Sequence, residues 1–305
     1  MSPSGSAPCY QVHGLNIRSV LPLPGQRLPE ELPVDASVEL APIASDLPGG
    51  TNFGPLIQAA PGVLQLSLRG IARYRVSRDR IEVSLLEGSG DDATLFLLKC
   101  AIPAMMLLRG TLPLMATAVR VGEGTTILCG HSGWGKSALA GILRLQGYPL
   151  LSDGICYVSP GETPSDPVVL RPGLPHFSLW FDAMSVLGET MRPAALVRKG
   201  VDAPFIYNVE MPEFVAQSVP VRRILITSWD NPAEESIPVA DPAAALTGFA
   251  ILSQCADALG CGDSLRETVA AICGQCPVAT FEVTWGMLTR ELLEERARRF
   301  VRCCA

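Results

Sequence analysis

Residues 130–137 read Gly-His-Ser-Gly-Trp-Gly-Lys-Ser and fit the pattern G-x-x-x-x-G-K-[ST]. The pattern has a mechanical meaning. Glycines let the backbone fold around an anion so that successive N–H groups point at phosphate oxygens, and the positive end of an outgoing helix adds to their pull. In such a loop Lys136 reaches the β- and γ-phosphates of a nucleotide, and the Ser137 hydroxyl ligates Mg²⁺. Gly130, His131, Ser132, Gly133, Trp134, Gly135, Lys136, Ser137 and Ala138 are therefore the candidate nucleotide-binding residues. Ser132 does not read as a hydrolase nucleophile, because "GHSGW" is not the G-x-S-x-G elbow. His131 reads as a loop residue near the phosphates. Trp134 is either a lid over them or a side chain packed on the surface.

A single carboxylate follows at Asp153, in "YPLLSDG". It ends the strand expected after the loop's helix, so in an α/β sheet it emerges at the same carboxyl edge as the loop. A carboxylate there can hold Mg²⁺, with Ser137, or accept the proton of an attacking hydroxyl. The plain alternative is a turn residue, since Ser-Asp-Gly is ordinary turn chemistry.

The surrounding pattern supplies the elements that must position these groups. "TTILC" reads as a buried strand entering the loop, and Lys136 to Leu145 as a helix with Leu139, Ile142 and Leu143 on one face and Gly147 as its stop signal. Upstream, the first 60 or so residues are rich in Pro and Gly and read as short strands, and Gly62 to Leu86 alternates apolar and polar residues as a small antiparallel sheet does. The run "DDATLFLLKCAIPAMMLLRG" predicts a buried helix that Gly110 ends. Downstream come "ICYVS", "VVLRPG" and "RRILITSW" as strands and a helix around Asp182 to Leu187, where Asp182 reads as a helix N-terminal residue. Residues 241–271 read mainly as helices, followed by the strand "VATFEV" and an amphipathic helix from Met287 to Arg302. The expected division is a small β-rich N-terminal domain over residues 1–95 and an α/β domain with a helical C-terminal region over residues 96–305.

Composition bounds the rest. A net charge of −6 and no run of four or more Lys/Arg argue against a nucleic-acid partner. No uncharged apolar stretch approaches the roughly 18 residues of a membrane span, and "MSPSGSAPCYQ" lacks the basic and apolar regions of a secretory signal, so a cytoplasmic protein is expected. The ten cysteines are then expected as reduced thiols. "CGQC" with Cys255 and Cys261 upstream is a weak zinc pattern, without the second close pair or a nearby histidine that ligand spacing requires. Only three of the 24 basic residues are lysines, Lys99, Lys136 and Lys199, and one of them falls inside the loop. Arg198 and Lys199 read either as a phosphate-neutralising pair or as an exposed turn. Arg296, Arg298, Arg299 and Arg302 are expected on the solvated face of the last helix.

The stretch "ILCGHSGWGKSALAGILRLQGYPLLSDGICYV" resembles the catalytic core of the HPr kinase/phosphorylase family, and is similar to the HPr-kinase-like proteins of peptide-modification clusters, including lasso-peptide precursor kinases. "YQVHGLNIRSVLPLP", "LLRGTLPLMATAVRVG", "RPGLPHFSLWFDAMSVLG" and "VPVRRILIT" share that look. The resemblance implies a P-loop α/β core related to PEP carboxykinase, with ATP and Mg²⁺ as cofactors. The implied reaction is γ-phosphoryl transfer to a serine hydroxyl of a peptide or small protein. Asp153 matches the first aspartate of the family's Asp-Asp pair, the base for the serine hydroxyl; Lys136 matches the phosphate clamp. Gly154 stands where the second aspartate would be, Met115 where the family has a histidine before the loop, and the signature E-x-R-G-x-G is not evident. Two other readings remain open: an ATP-binding module that orders a partner-binding surface, and a small-molecule kinase of the same fold. The resemblance also leaves open a homo-oligomer.

Overall fold

In the computed structural model the described residues are 7–86, 90–174, 176–188, 195–196, 205–208, 217–228, 237–282 and 288–304. The chain forms two compact units, residues 1–111 with 252–266, and residues 112–251 with 267–305. It is a mixed α/β protein.

The first unit is built on a nine-stranded sheet. Its strands are β1 (Cys9–Val12), β2 (Leu15–Ser19), β3 (Gln26–Leu28), β4 (Ala36–Leu40), β5 (Thr51–Phe53), β6 (Ile57–Ala60), β7 (Val63–Leu68), β8 (Ala72–Val76) and β9 (Arg80–Leu85), in the order β3-β1-β2-β4-β9-β8-β7-β6-β5. The alternation seen in the sequence is realised in β8, where Ala72, Tyr74 and Val76 are buried and the residues between them half-buried. Strands β6 to β9 form antiparallel neighbours, whereas β2–β4 and β4–β9 are parallel. The helical run that follows is α1 (Gly90–Phe96), a π-turn over Leu97–Ala101, and α2 (Ile102–Leu108), closed by Gly110 at φ 80°. Tyr74 Oη donates to the Ala93 carbonyl at 2.6 Å. This ties the start of the helical run to β8, within the first unit.

Among the described residues the second unit carries a seven-stranded sheet and four helices that lie wholly within it. In chain order they are β10 (Leu112–Val121), β11 (Gly124–Cys129), α3 (Lys136–Leu145), β12 (Leu150–Ser152), β13 (Ile155–Ser159), β14 (Val169–Leu170), β15 (His176–Leu179), α4 (Phe181–Leu187), β16 (Ala195–Leu196), β17 (Phe205–Asn208), β18 (Val219–Ser228), α5 (Pro242–Phe249), then α6 (Gly262–Gln275), which begins in residues of the first unit, β19 (Val278–Glu282) and α7 (Arg290–Cys304). Strands β15, β17 and β16 make a separate small sheet.

Strand β10 organises the region that matters. One edge of its C-terminal half pairs antiparallel with β11, from Ala116↔Cys129 to Val121↔Gly124. The other edge pairs antiparallel with β12 through Ala118↔Ser152 and Val119↔Leu150. Strands β11 and β12 therefore run in the same direction, and their carboxyl ends come out on the same side. Beyond β11 lie β18 and β19, each parallel to its neighbour. Strand β11 is buried along nearly its whole length, as an apolar strand covered on both faces must be. Helix α3 buries Ala138, Leu139, Ile142 and Leu143 in a core completed by Leu128, Phe177, Leu225, Phe281, Leu293 and Phe300. Among the described residues no helix is long and apolar enough to cross a membrane.

Candidate functional site

The glycine loop leaves β11 at Gly130 and enters α3 at Lys136. Two glycines in it hold left-handed backbone, Gly133 at φ 84° and Gly135 at φ 76°. A side chain in that region costs about 1–2 kcal/mol, so the loop's curl depends on these residue types. Gly135 occupies the N-cap position of α3, and no side chain caps the helix there. The helix N-terminus thus presents backbone donors that no capping side chain occupies, the arrangement that binds anions.

Inside the curl the His131 carbonyl accepts from the Lys136 ammonium at 2.8 Å and from the Trp134 N–H at 3.3 Å. Lys136 is 7% exposed, so its charge lies beneath the loop and not out in solvent. His131, Ser132 and Gly133 are exposed, while Trp134, Gly135 and Ser137 are half-buried and Gly130 and Ala138 buried. The His131 ring packs edge-on to Trp134 at 4.8 Å and against Phe249, at the end of α5, at 5.0 Å. Trp134 therefore has a neighbour in the loop itself.

Asp153 follows the carboxyl end of β12 and meets the loop. The Ser137 hydroxyl donates toward both carboxylate oxygens, at 2.9 Å to Oδ1 and 3.0 Å to Oδ2, and the Ser178 backbone N–H donates to Oδ2 at 3.3 Å. The turn that carries Asp153 is pinned from below. Thr117 Oγ1 donates to the Ser152 carbonyl at 3.0 Å, Ser152 Oγ to the Ile155 carbonyl at 2.9 Å, and the Ala116 N–H to the Gly154 carbonyl at 3.3 Å. Gly154 has φ 82°. A hydroxyl and a carboxylate facing each other are hard oxygen donors, suited to Mg²⁺ and unsuited to a soft metal. Ser137 and Asp153 are the residues that would hold it.

Met115 lies directly beside the loop, since its carbonyl accepts from the Gly130 N–H at 3.2 Å. It is half-buried. Met115 and Gly154 thus both border the site. Arg198, Lys199 and the strand end beyond Ser228 lie outside the described residues.

Cys129 and Cys156 are buried close to the loop. Burial pushes the Cys129 thiol up to about 12, tempered by the Lys136 ammonium, and holds Cys156 well above its usual value. Both are neutral and neither can serve as a thiolate nucleophile. All ten cysteines are free, and no group of three or more His, Cys, Asp or Glu able to hold a metal occurs among the described residues.

Three features go beyond the sequence reading. Thr227, the penultimate residue of β18, is 3% exposed, and its Oγ1 has no hydrogen-bond partner among the described residues. A Cβ on Gly130 would overlap that oxygen. Second, the arginines of α7 do not all lie on a solvated face. Arg298 and Arg302 are exposed, but Arg296 is 7% exposed, and Arg299 pairs with Glu282 at 2.7 Å with both side chains largely covered. The reason is helical spacing: Leu293, Arg296, Ala297, Phe300 and Cys304 form the stripe of α7 that packs on the core. Third, Asp182 lies in the first turn of α4 while Trp180 holds the N-cap position.

No family model matches the chain, and no curated protein matches it. Among solved structures, the Hpr(Ser) kinase/phosphatase from Coxiella burnetii superposes over 62% of this chain and 90% of its own, at a TM-score of 0.33 and 11% identity. That likeness is too slight to define a fold family.

Proposed function

We propose that the protein is an ATP- and Mg²⁺-dependent phosphotransferase that moves the γ-phosphoryl group onto a serine hydroxyl of a peptide or small protein. The observation that carries this reading is the meeting of Ser137 and Asp153 at 2.9 and 3.0 Å beside the glycine loop. The loop amides and Lys136 bind the triphosphate, and the uncapped start of α3 adds its dipole. Mg²⁺, held by Ser137 and Asp153, supplies charge neutralisation on the phosphate oxygens. Asp153 also accepts the proton of the acceptor hydroxyl, and the Ser178 N–H orients the carboxylate for that role. Phosphoryl transfer asks mainly for positioning and neutralisation, which these groups provide.

The test is transfer from [γ-³²P]ATP to serine-containing peptides and small proteins. Asp153→Asn should slow transfer by roughly 10²- to 10⁴-fold, the usual worth of a positioned base, and Lys136→Ala should weaken Mg·ATP binding. Transfer that Asp153→Asn leaves untouched rejects the mechanism; calorimetry showing no affinity for Mg·ATP rejects the reading as a whole. A second reading, a nucleotide-ordered binding module without transfer, is favoured by Met115 and Gly154, which border the loop where the resembled kinases carry polar groups. Nucleotide binding with transfer to no acceptor would select it.

A further inference from the structure

Strand β18 carries a hydroxyl to the root of the glycine loop. It pairs parallel with β11 as far as Cys129↔Ile226. Thr227 therefore stands one step further on, level with Gly130, where the loop begins. Side chains alternate along a strand, so Thr227 shares a face with Leu225, which packs in the core that also holds α3 and α7. The hydroxyl thus lies on the side of the sheet that α3 covers, at the end where α3 starts. Of the Thr227 side-chain atoms, Oγ1 comes closest to the position a Cβ on Gly130 would take, nearer than Cγ2 at 3.1 Å and Cβ at 3.2 Å. The oxygen is aimed at the loop.

Its bonding sets it apart. Thr227 is 3% exposed, and Oγ1 has no hydrogen-bond partner among the described residues. Buried hydroxyls are nearly always bonded, and others about the site are: Ser137 donates to Asp153, Thr117 to the Ser152 carbonyl and Ser152 to the Ile155 carbonyl. A dry, unbonded hydroxyl costs stability. Valine has the same shape, favours strands and would fill the place without that cost. A second observation concerns the same loop. Helix α3, ten residues long, starts from Gly135 with no side chain capping its first amides. Those amides, the Lys136 ammonium and the Thr227 hydroxyl are donors set around one turn of chain. A phosphate brings the acceptors that such a set calls for.

We propose that Thr227 is a further phosphate-binding residue of the glycine loop, supplied by β18, whose hydroxyl donates to a phosphate oxygen of the bound nucleoside triphosphate. This rests on the reading that the loop holds a nucleoside triphosphate, and it adds the strand beside the loop to the machinery. Gly130 covers Oγ1 while Lys136 donates to the His131 carbonyl. Drawing Lys136 onto a phosphate loosens the first turn of the loop and opens the hydroxyl to the ligand.

Calorimetric titration with Mg·ATP of wild type, Lys136→Ala, Thr227→Val and Thr227→Ser tests it on the full chain. Thr227→Val keeps the shape and removes the hydroxyl. It should weaken Mg·ATP by roughly ten- to a hundredfold, the range of hydrogen bonds to charged groups, and move the ³¹P resonances of ATP bound at saturation. Its melting temperature without nucleotide should equal or exceed that of wild type, because an unbonded buried hydroxyl has gone. Thr227→Ser keeps the donor and should bind more tightly than Thr227→Val. If wild type binds Mg·ATP, Lys136→Ala weakens it and folded Thr227→Val binds as wild type does, this inference alone fails. A lowered melting temperature with unchanged affinity would give the hydroxyl a purely structural role and overturn it equally. If wild type does not bind Mg·ATP, the nucleotide reading fails with it. Should Thr227→Val not fold, Thr227→Ala against Thr227→Ser decides: equal affinities overturn the proposal, and weaker binding by Thr227→Ala upholds it.

Discussion

The first glycine of the loop has a steric requirement that can be measured. Gly130 leaves β11 directly opposite Thr227 of β18, and a methyl on its α-carbon would overlap Thr227 Oγ1 while lying 3.1 Å from Cγ2 and 3.2 Å from Cβ. Neither neighbour can retreat easily, because both strands are locked in a parallel ladder through Ile127↔Ile224, Leu128↔Leu225 and Cys129↔Ile226. Gly130→Ala is therefore an overpacking change in a buried site, with a cost of about 1–3 kcal/mol. That corresponds to a fall in melting temperature of about 2–4 °C for each kcal/mol in a domain of this size. Thr227→Ala removes both Oγ1 and Cγ2 and leaves only the 3.2 Å approach to Cβ, which a shift of a few tenths of an ångström relieves. The double variant should therefore recover most of what Gly130→Ala loses, giving a coupling energy on the order of 1 kcal/mol or more in a double-mutant cycle. Urea denaturation followed by far-UV circular dichroism measures all four proteins, and Mg·ATP titration shows whether the loop recovers with the fold. Additive effects of the two substitutions would refute the reasoning, as would wild-type stability in Gly130→Ala alone.

Two further outcomes concern the chemistry of the buried groups. Burial raises Cys129 and Cys276 to about 12 and Cys100, Cys255 and Cys304 to about 11. Their neutral form is favoured in the folded state, so the stability they contribute is complete below the ordinary thiol value near 8.5 and is lost as pH rises toward 11 and 12, because the unfolded chain releases its thiol protons first. The melting temperature should fall above about pH 8.5, and Cys129→Ala with Cys276→Ala should flatten that fall; a slope unaltered in the double variant would count against it. Glu282→Gln strips Arg299 of its close partner in a largely covered pair. A loss of about 1–3 kcal/mol in denaturant titration is expected, less than the full penalty of a deeply buried pair because both side chains keep some contact with water.

The parts of this protein that local rules govern were legible in the sequence. The helix expected from Lys136 to Leu145 is α3 with those bounds, and Gly147 follows at φ 90° where a stop was expected. Asp153 was placed at a strand end, and the structure sets it within hydrogen-bond reach of Ser137. What escaped depends on distant pairing. Nothing local in "ASVEL" says that β4 lies parallel to both β2 and β9. The tie between α1 and β8 rests on the Tyr74–Ala93 hydrogen bond across 19 residues of chain. Arg296 departs from what its residue type suggests: arginines near a helix C-terminus suit the dipole, yet the i, i+3, i+4 spacing from Leu293 through Phe300 puts 296 on the apolar stripe. Thr227 carried no signal at all, since its significance lies in a missing side chain on the neighbouring strand.

Strand β10 acts as a ruler for the site. The loop hangs from one of its edges through β11, and the carboxylate hangs from the other through β12. A slip of one residue on either edge displaces that half by about 3.3 Å, enough to part Ser137 from Asp153. Insertions or deletions in the turn between β10 and β11 leave this spacing alone, whereas one within residues 116–119 would misalign the two halves even with every named side chain still present.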